Sequence, residues 1–301
     1  MKNVPSKVAA QVAEDKTWER VSDRPVNMTL KLRRKAYLAN KGIDPNGPFQ
    51  LDLLFPKTIN PSQRILPNDY ARSAIFTVRN KREQRRALKR EKVYHLHEQV
   101  SILFTGIELR ADDDELVWMQ IMHYAKTSPL GHLVEFTIKQ LVADIGWPKN
   151  GFYYDRARDC ISRLNACEVT VSNESAYGTS PVFSMLGKYV TVNDGDGKPT
   201  FYQCALDQDM ILLFAGNTFT NHTWDTYRKF GTIARRLADY VESHSHPFPL
   251  DVQKFKSMCG SEMKSLPGWR RMVRNACAEL ESAGLAKMVK LNDDDKICVA
   301  R

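Results

Sequence analysis

The chain has 301 residues, 43% of them hydrophobic, enough to bury a core in more than one domain. Its 44 Lys and Arg against 35 Asp and Glu give a formal net charge of +9, which favours a polyanionic partner. No apolar run approaches the ~18 residues of a membrane span, the N-terminal MKNVPSKVAAQVAEDK lacks a signal core, and the six cysteines form no C-x-x-C pair, so a cytoplasmic protein with buried reduced thiols and no metal or other cofactor is expected.

Residues 1–69 read as a mostly disordered basic tail. Pro5, Pro25, Pro45, Pro48, Pro56, Pro61 and Pro67 punctuate it, its apolar periodicity is weak, and Lys31, Arg33, Arg34 and Lys35 cluster within it. A short helix over Met28 to Asn40 is compatible with the pattern. One apolar island stands out, Gln50-Leu51-Asp52-Leu53-Leu54-Phe55, between Pro48 and Pro56. A short strand docked on the first domain would explain it, and so would a linear motif. QLDLLF matches the six-residue peptide that docks on bacterial sliding clamps, Gln-Leu-x-Leu-x-(Leu/Phe). Gln50 offers a donor and an acceptor to a polar subpocket, Leu51 completes the match, and Leu53, Leu54 and Phe55 fill an apolar one.

A β-rich run at Ala71 to Val78 opens the first domain, assigned to 70–221. Arg79 to Lys92 follows, in which cations far outnumber the two acids. Arg85 and Arg86 make it a candidate phosphate-tracking arm, with a solvated linker as the plain alternative. Val93 to Leu109 reads as two strands with a turn at Thr105-Gly106. His95-Leu96-His97 inside it has the spacing of the metal motif of rolling-circle nicking enzymes, with Tyr153 and Tyr154 as nucleophiles downstream. Those tyrosines, however, open a helix that has its own explanation. Asp112-Asp113-Asp114-Glu115 starts a helix running to about Lys126, where acids suit the macrodipole. That helix is apolar on most sides and should be buried.

An internal repeat then appears. Thr137 and Asp251 are N-cap types that each start a short helix, closed by Gly146 and Gly260. A turn and a longer helix follow each time. Phe152, Ile161 and Leu164 anchor the first long helix; Trp269, Val273 and Leu280 anchor the second, with Ala276 and Ala283 on the same stripe. Arg158 corresponds to Arg274. Strands follow in both, Val169 to Ser172 and Val182 to Val192 against Leu285 to Leu291 and Lys296 to Ala300. The first copy has a longer wing, with Asn193 to Gly197 as its turn and Thr200 to Leu206 as its return strand. A preceding helix is expected in the second copy from Trp224 to Ser243. The fold class is therefore α+β: two tandem winged-helix domains, 70–221 and 222–301, behind the tail.

Residues 222–301 hold 14 Lys and Arg against 10 Asp and Glu, three of the acids at the wing turn. Arg270, Arg271 and Arg274 lie off the apolar stripe near the start of the second long helix, as a major-groove reader requires. Lys264, Lys287 and Lys290 suit phosphates. In the first copy Lys149, Tyr154, Arg156 and Arg158 are the corresponding candidates, interleaved with Asp155 and Asp159. No nucleophile elbow, zinc pattern, phosphate loop or carboxylate pair is found, so no enzymatic activity is expected. A winged-helix repressor that binds DNA and does nothing further fits the same features.

Five stretches carry a resemblance to a known family: RRALKREKVYHLH, TGIELRADDDELVW, LFAGNTFT, YRKFGTIARRLADY and FPLDVQKFKSMCGS. From about Arg85 to Arg301 the chain resembles the TrfA-type plasmid replication initiators. The resemblance implies binding to iterons, the direct repeats of a plasmid origin, and opening of an adjacent A+T-rich duplex, whose single strands would be a further partner. It also implies recruitment of DnaA, the DnaB helicase and the sliding clamp, the last through a peptide in the tail. It implies exchange between dimer and monomer, a role in plasmid copy number, and residence in the bacterial cytoplasm. On this comparison the C-terminal domain reads bases, and the N-terminal one dimerises or adds backbone contacts.

Overall fold

The computed structural model describes residues 60–127, 133–173, 180–207, 210, 212–214 and 218–301. All belong to one compact unit, Pro48–Arg301. The Gln50–Phe55 peptide and the helix expected over Met28 to Asn40 lie outside the described residues. No helix among the described residues is long and apolar enough to cross a membrane.

The first part of the unit contains β1 (Gln63–Pro67), α1 (Asn68–Ala71), β2 (Phe76–Thr77), β3 (Ala87–Val93), β4 (Ser101–Ile107), β5 (Leu109–Arg110) and α2 (Asp114–Thr127). The middle contains β6 (Val134–Thr137), α3 (Ile138–Ile145), α4 (Gly151–Asn165), β7 (Glu168–Ser172), β8 (Val182–Phe183), β9 (Tyr189–Asn193) and β10 (Pro199–Cys204). The last part contains β11 (Phe219–Thr223), α5 (Trp224–Tyr227), α6 (Thr232–Glu242), β12 (Leu250–Asp251), α7 (Val252–Met258), α8 (Leu266–Ser282), β13 (Met288–Leu291) and β14 (Lys296–Ala300). The fold is α+β.

The two copies share one topology. A strand precedes each helix pair and adds to the return strand of the hairpin that follows it, giving the sheet orders β6-β10-β9 and β12-β14-β13. Local chemistry sets the helix ends. Thr137 accepts from Gln140 N–H, Asn150 from Tyr153 N–H, Asp251 from Gln253 and Lys254 N–H, and Ser265 from Gly268 N–H. Gly146 and Gly260 follow α3 and α7 with φ of 83° and 57°, a region that glycine enters without steric cost.

α2 is the centre of the core. Leu116, Val117, Trp118, Met119, Ile121 and Met122 are all buried, and Trp118 Nε1 donates to Met185 O at 2.9 Å. On α8, Trp269, Val273, Ala276, Cys277 and Leu280 are buried, with Ala283 exposed at the C-cap. Trp269 Nε1 donates to Val252 O at 3.1 Å, which ties α8 to the start of α7. All six cysteines are free thiols, five of them buried.

Several expectations change. The tail range 1–69 overlaps β1, which pairs antiparallel with β11 and buries Ile65 and Leu66 completely. That pairing also crosses the 221/222 boundary. Thr105-Gly106 is no turn: it lies within β4, and the β3–β4 connection runs through 94–100. Gly106 serves close approach instead, because a Cβ there would stand 3.0 Å from the Cys167 Cβ. β7 is not a wing strand. It joins the antiparallel sheet β3-β4-β7-β8, and β9 with β10 forms the hairpin that matches β13 with β14. The helix expected over Trp224 to Ser243 breaks at Gly231, whose N–H is taken by Glu279 of α8 at 2.7 Å. Phe152 is not an anchor: it is 69% exposed. Tyr153, four residues before buried Ala157, holds the inward phase instead.

Buried charge joins the C-terminal copy to the rest. Arg236 of α6 is fully buried, donating to Glu115 Oε1 at 2.8 Å, to Asp239 Oδ2 at 2.6 Å and to the carbonyls of Tyr70, Ala71 and Ser73. Burial, with the Asp239 charge adding to it, lifts the Glu115 carboxyl to about 7 even though Arg236 opposes this. Beside it, His222 lies 3.0 Å from Asp239 and also contacts Glu242. Burial disfavours its charge, but Glu242 and Asp239 outweigh that and raise it to about 10. At the far end of α7, Val78 N–H donates to Cys259 O at 2.8 Å, and Gly260 fits against Thr77 where a Cβ would stand 2.8 Å from its methyl group.

Candidate nucleic-acid interface

α8 begins with Ser265 as its cap and Pro267 in its first turn, so its exposed N-terminal face is set by local sequence. With Trp269 and Val273 turned inward, Arg271 and Arg274 are exposed and Arg270 is part-exposed. Arg271 has no ion pair or side-chain hydrogen bond among the described residues. Arg270 is held by the turn between β13 and β14: its Nε donates to Asp295 Oδ1 at 2.7 Å and its Nη2 to Asp295 Oδ2. That hydrogen-bonded pairing keeps the Asp295 carboxyl below its ordinary range, with the charges of Arg270 and Arg274 adding to it. Lys264, Lys287 and Lys290 are exposed, Lys290 opposite buried Val289 in the alternation of β13. The acids of α8 sit in its C-terminal half and are used internally: Glu279 accepts from Gly231 N–H and Glu281 from Val289 N–H at 2.6 Å. The start of the helix is left positive.

The first copy spends the arginines of α4. Arg156 pairs with Asp112 and, at 3.3 Å, with Asp113, and lies over the Trp147 ring 5.0 Å from its centroid. Arg158 donates to Asp155 at 2.7 Å and to Pro199 O at 2.8 Å. Arg163 donates to Asp114 at 2.9 Å. Lys149 is exposed and Tyr154 part-exposed. Aromatic rather than basic surface marks this end of α4, with Phe152 and Tyr153 edge to face at 5.1 Å.

In the expected phosphate arm Arg85 and Arg86 are paired, whereas Lys81, Arg82, Lys89, Arg90 and Lys92 are exposed. Arg85 donates to Asp113 at 2.7 Å, to Asp114 at 2.6 Å and to Glu108 O, and its side chain is 17% exposed, so no open fork remains for phosphate. Arg86 is half exposed and pairs with Glu262 at 3.1 Å. Ala87–Val93 is strand β3 rather than a linker. The acidic run at 112–115 therefore does more than start a helix: it neutralises Arg85, Arg156, Arg163 and Arg236. Sequence reasoning missed this because the cations arrive from distant segments.

Asp113, Asp114 and Cys160 are the one group among the described residues whose ligand atoms stand close enough to share a metal. The site does not suit a cation, because three arginine side chains already occupy its carboxylates. Burial also raises Asp114, to about 6, and pushes the Cys160 thiol well up. His95 and His97 are similarly placed for structure. His95 is buried with its Nδ1 at His97 O and N–H, and His97 Nε2 stands 3.4 Å from the Arg72 guanidinium, which repels a metal ion.

A family model described as TrfA protein matches residues 39–300. The chain is 42% identical over 233 residues to a plasmid replication initiator protein TrfA of Escherichia coli, covering 77% of this chain and 60% of that protein. The chain thus spans less than two thirds of the length of this curated relative. A crystal structure of domains 2 and 3 of RctB is similar in fold, with a TM-score of 0.51 at 14% identity over 71% of this chain and 85% of that one.

Proposed function

Because the chain belongs to the TrfA family, we propose that it is a plasmid replication initiator. It binds iterons at the plasmid origin through α8, promotes opening of the adjacent A+T-rich duplex and recruits host replication proteins, without being an enzyme. Both copies are read as winged helices, a reading supported by their matching sheet orders. The observation that carries the DNA-binding part is the start of α8, where Arg271 and Arg274 are exposed beside Arg270 on the second helix of a helix–turn–helix. A guanidinium fork there can donate to the O6 and N7 acceptors of a guanine, while the flanking lysines take phosphates.

DnaA, the DnaB helicase, the sliding clamp and a second copy of the chain are its proposed partners, the clamp through Gln50, Leu51, Leu53, Leu54 and Phe55. Footprinting on the parent plasmid's origin should give protection at direct repeats, together with permanganate-reactive thymines in the neighbouring A+T-rich segment. Protection without duplex opening would leave a repressor; no protection would overturn both readings. Replacing Leu53 and Phe55 by Ala should abolish clamp binding and leave DNA binding unchanged.

A further inference from the structure

The turn between β13 and β14 is acidic. Asn292-Asp293-Asp294-Asp295 puts three carboxylates beside a helix whose exposed start is basic. A hairpin tip that met phosphate would be expected to carry lysine there, so at least one of these acids has another use. Asp295 is distinguished from the other two by its backbone and by its partner. Its φ is 57°, uncommon for a residue with a side chain. Its carbonyl accepts from Val252 N–H at 2.8 Å at the start of α7, which fixes the turn to the body of the domain. Its carboxylate then meets Arg270 through two hydrogen bonds, from Nε and from Nη2.

The geometry of that pair decides what it leaves free. Arg270 is bound side-on, by the edge that carries Nε. The other edge, with both protons of Nη1 and the second proton of Nη2, has no partner among the described residues. A guanine presents O6 and N7 as two adjacent acceptors, and the free edge of a guanidinium is the fork that fits them. An arginine alone would sample many rotamers and could swing to a phosphate. One edge held by a carboxylate leaves the opposite edge aimed in one direction.

We propose that Asp295 is a positioning residue for base recognition: it holds Arg270 side-on so that the opposite edge of the guanidinium reads one guanine in the major groove. This rests on the reading of α8 as the groove-binding helix. It assigns the acidic hairpin turn to specificity rather than to affinity, since a carboxylate near DNA weakens binding to any sequence through its charge.

The test is selection from a randomised duplex library with the full chain, followed by affinity measurement on the enriched duplex and on a scrambled one. Asp295→Gly suits the left-handed backbone and removes the carboxylate; Asp295→Asn keeps the shape and removes the charge. Both should lose the preference at one guanine while keeping the rest of the motif, with roughly ten-fold less discrimination at that base and unchanged or tighter binding to the scrambled duplex. Arg270→Ala should lose the same position, and the double variant should be no worse than Arg270→Ala alone. A motif unchanged in both Asp295 variants, or effects of the two residues that add, would overturn the positioning role. If the unaltered chain enriches no motif, the groove placement of α8 fails, and the inference falls with it.

Discussion

α4 and α8 occupy the same place in two copies of one topology, and both carry three arginines. On α4 each arginine has a carboxylate partner, drawn from Asp112, Asp113, Asp114 and Asp155. Among the described residues only Arg270 of α8 has a carboxylate partner, and that partner belongs to the adjacent hairpin turn. Equal cation content therefore does not mean equal capacity for DNA. An arginine that already donates to a buried carboxylate must break that bond before it can meet phosphate, and the acid left behind loses its compensation. The difference suits a division in which the first copy holds the assembly together and the second meets the duplex.

The largest expected effect tests the seam between the copies. Arg236→Met should cost about 3–5 kcal/mol in urea unfolding, because it strands Glu115 and Asp239 without a counter-charge. A loss under ~1 kcal/mol would mean that water reaches the site and the charges are not sealed. The same seam has a pH signature. His222 is raised from its ordinary 6.5 to about 10, so its stabilisation is complete below 6.5 and is lost as pH rises through 10. Unfolding free energy should fall across that window, and His222→Gln should flatten the fall. A slope that survives the substitution would assign it to another group.

Next come the two helices themselves. Arg271→Ala or Arg274→Ala should weaken sequence-specific binding by ~1–3 kcal/mol in an anisotropy titration. Arg156→Ala and Arg158→Ala in α4 should stay within ~0.5 kcal/mol in the same assay, Arg156→Ala lowering the melting temperature instead. Equal losses in both copies would erase the contrast. The smallest effect falls on Lys264, Lys287 and Lys290: each alanine should reduce the salt dependence of binding by about one counterion, alike for specific and scrambled DNA.

Much of the second copy was legible in sequence because its signals are local. Asp251 caps, Gly260 stops, and the apolar spacing from Trp269 to Leu280 marks the inward face. What was illegible is long-range. Arg85 and Arg156 look as exposed in sequence as Arg271 does; only the folded chain brings Asp113 to both of the first two. Gly106 has the composition of a turn, yet Cys167, far along the chain, dictates its use. β7 has wing-like alternation, and nothing near it reveals that β4 is its neighbour.

The Arg236 contacts also bear on how such a protein can change over generations. Glu115 and the carbonyls of Tyr70, Ala71 and Ser73 come from one half of the chain and the guanidinium from the other. A crossover that exchanged everything after residue 222 with a divergent relative would have to bring a guanidinium that matches all of them. A new DNA preference is reached more readily by drift at the exposed positions of α8 and its hairpin, which no other segment constrains as tightly. The chain can diversify its address without renegotiating its frame.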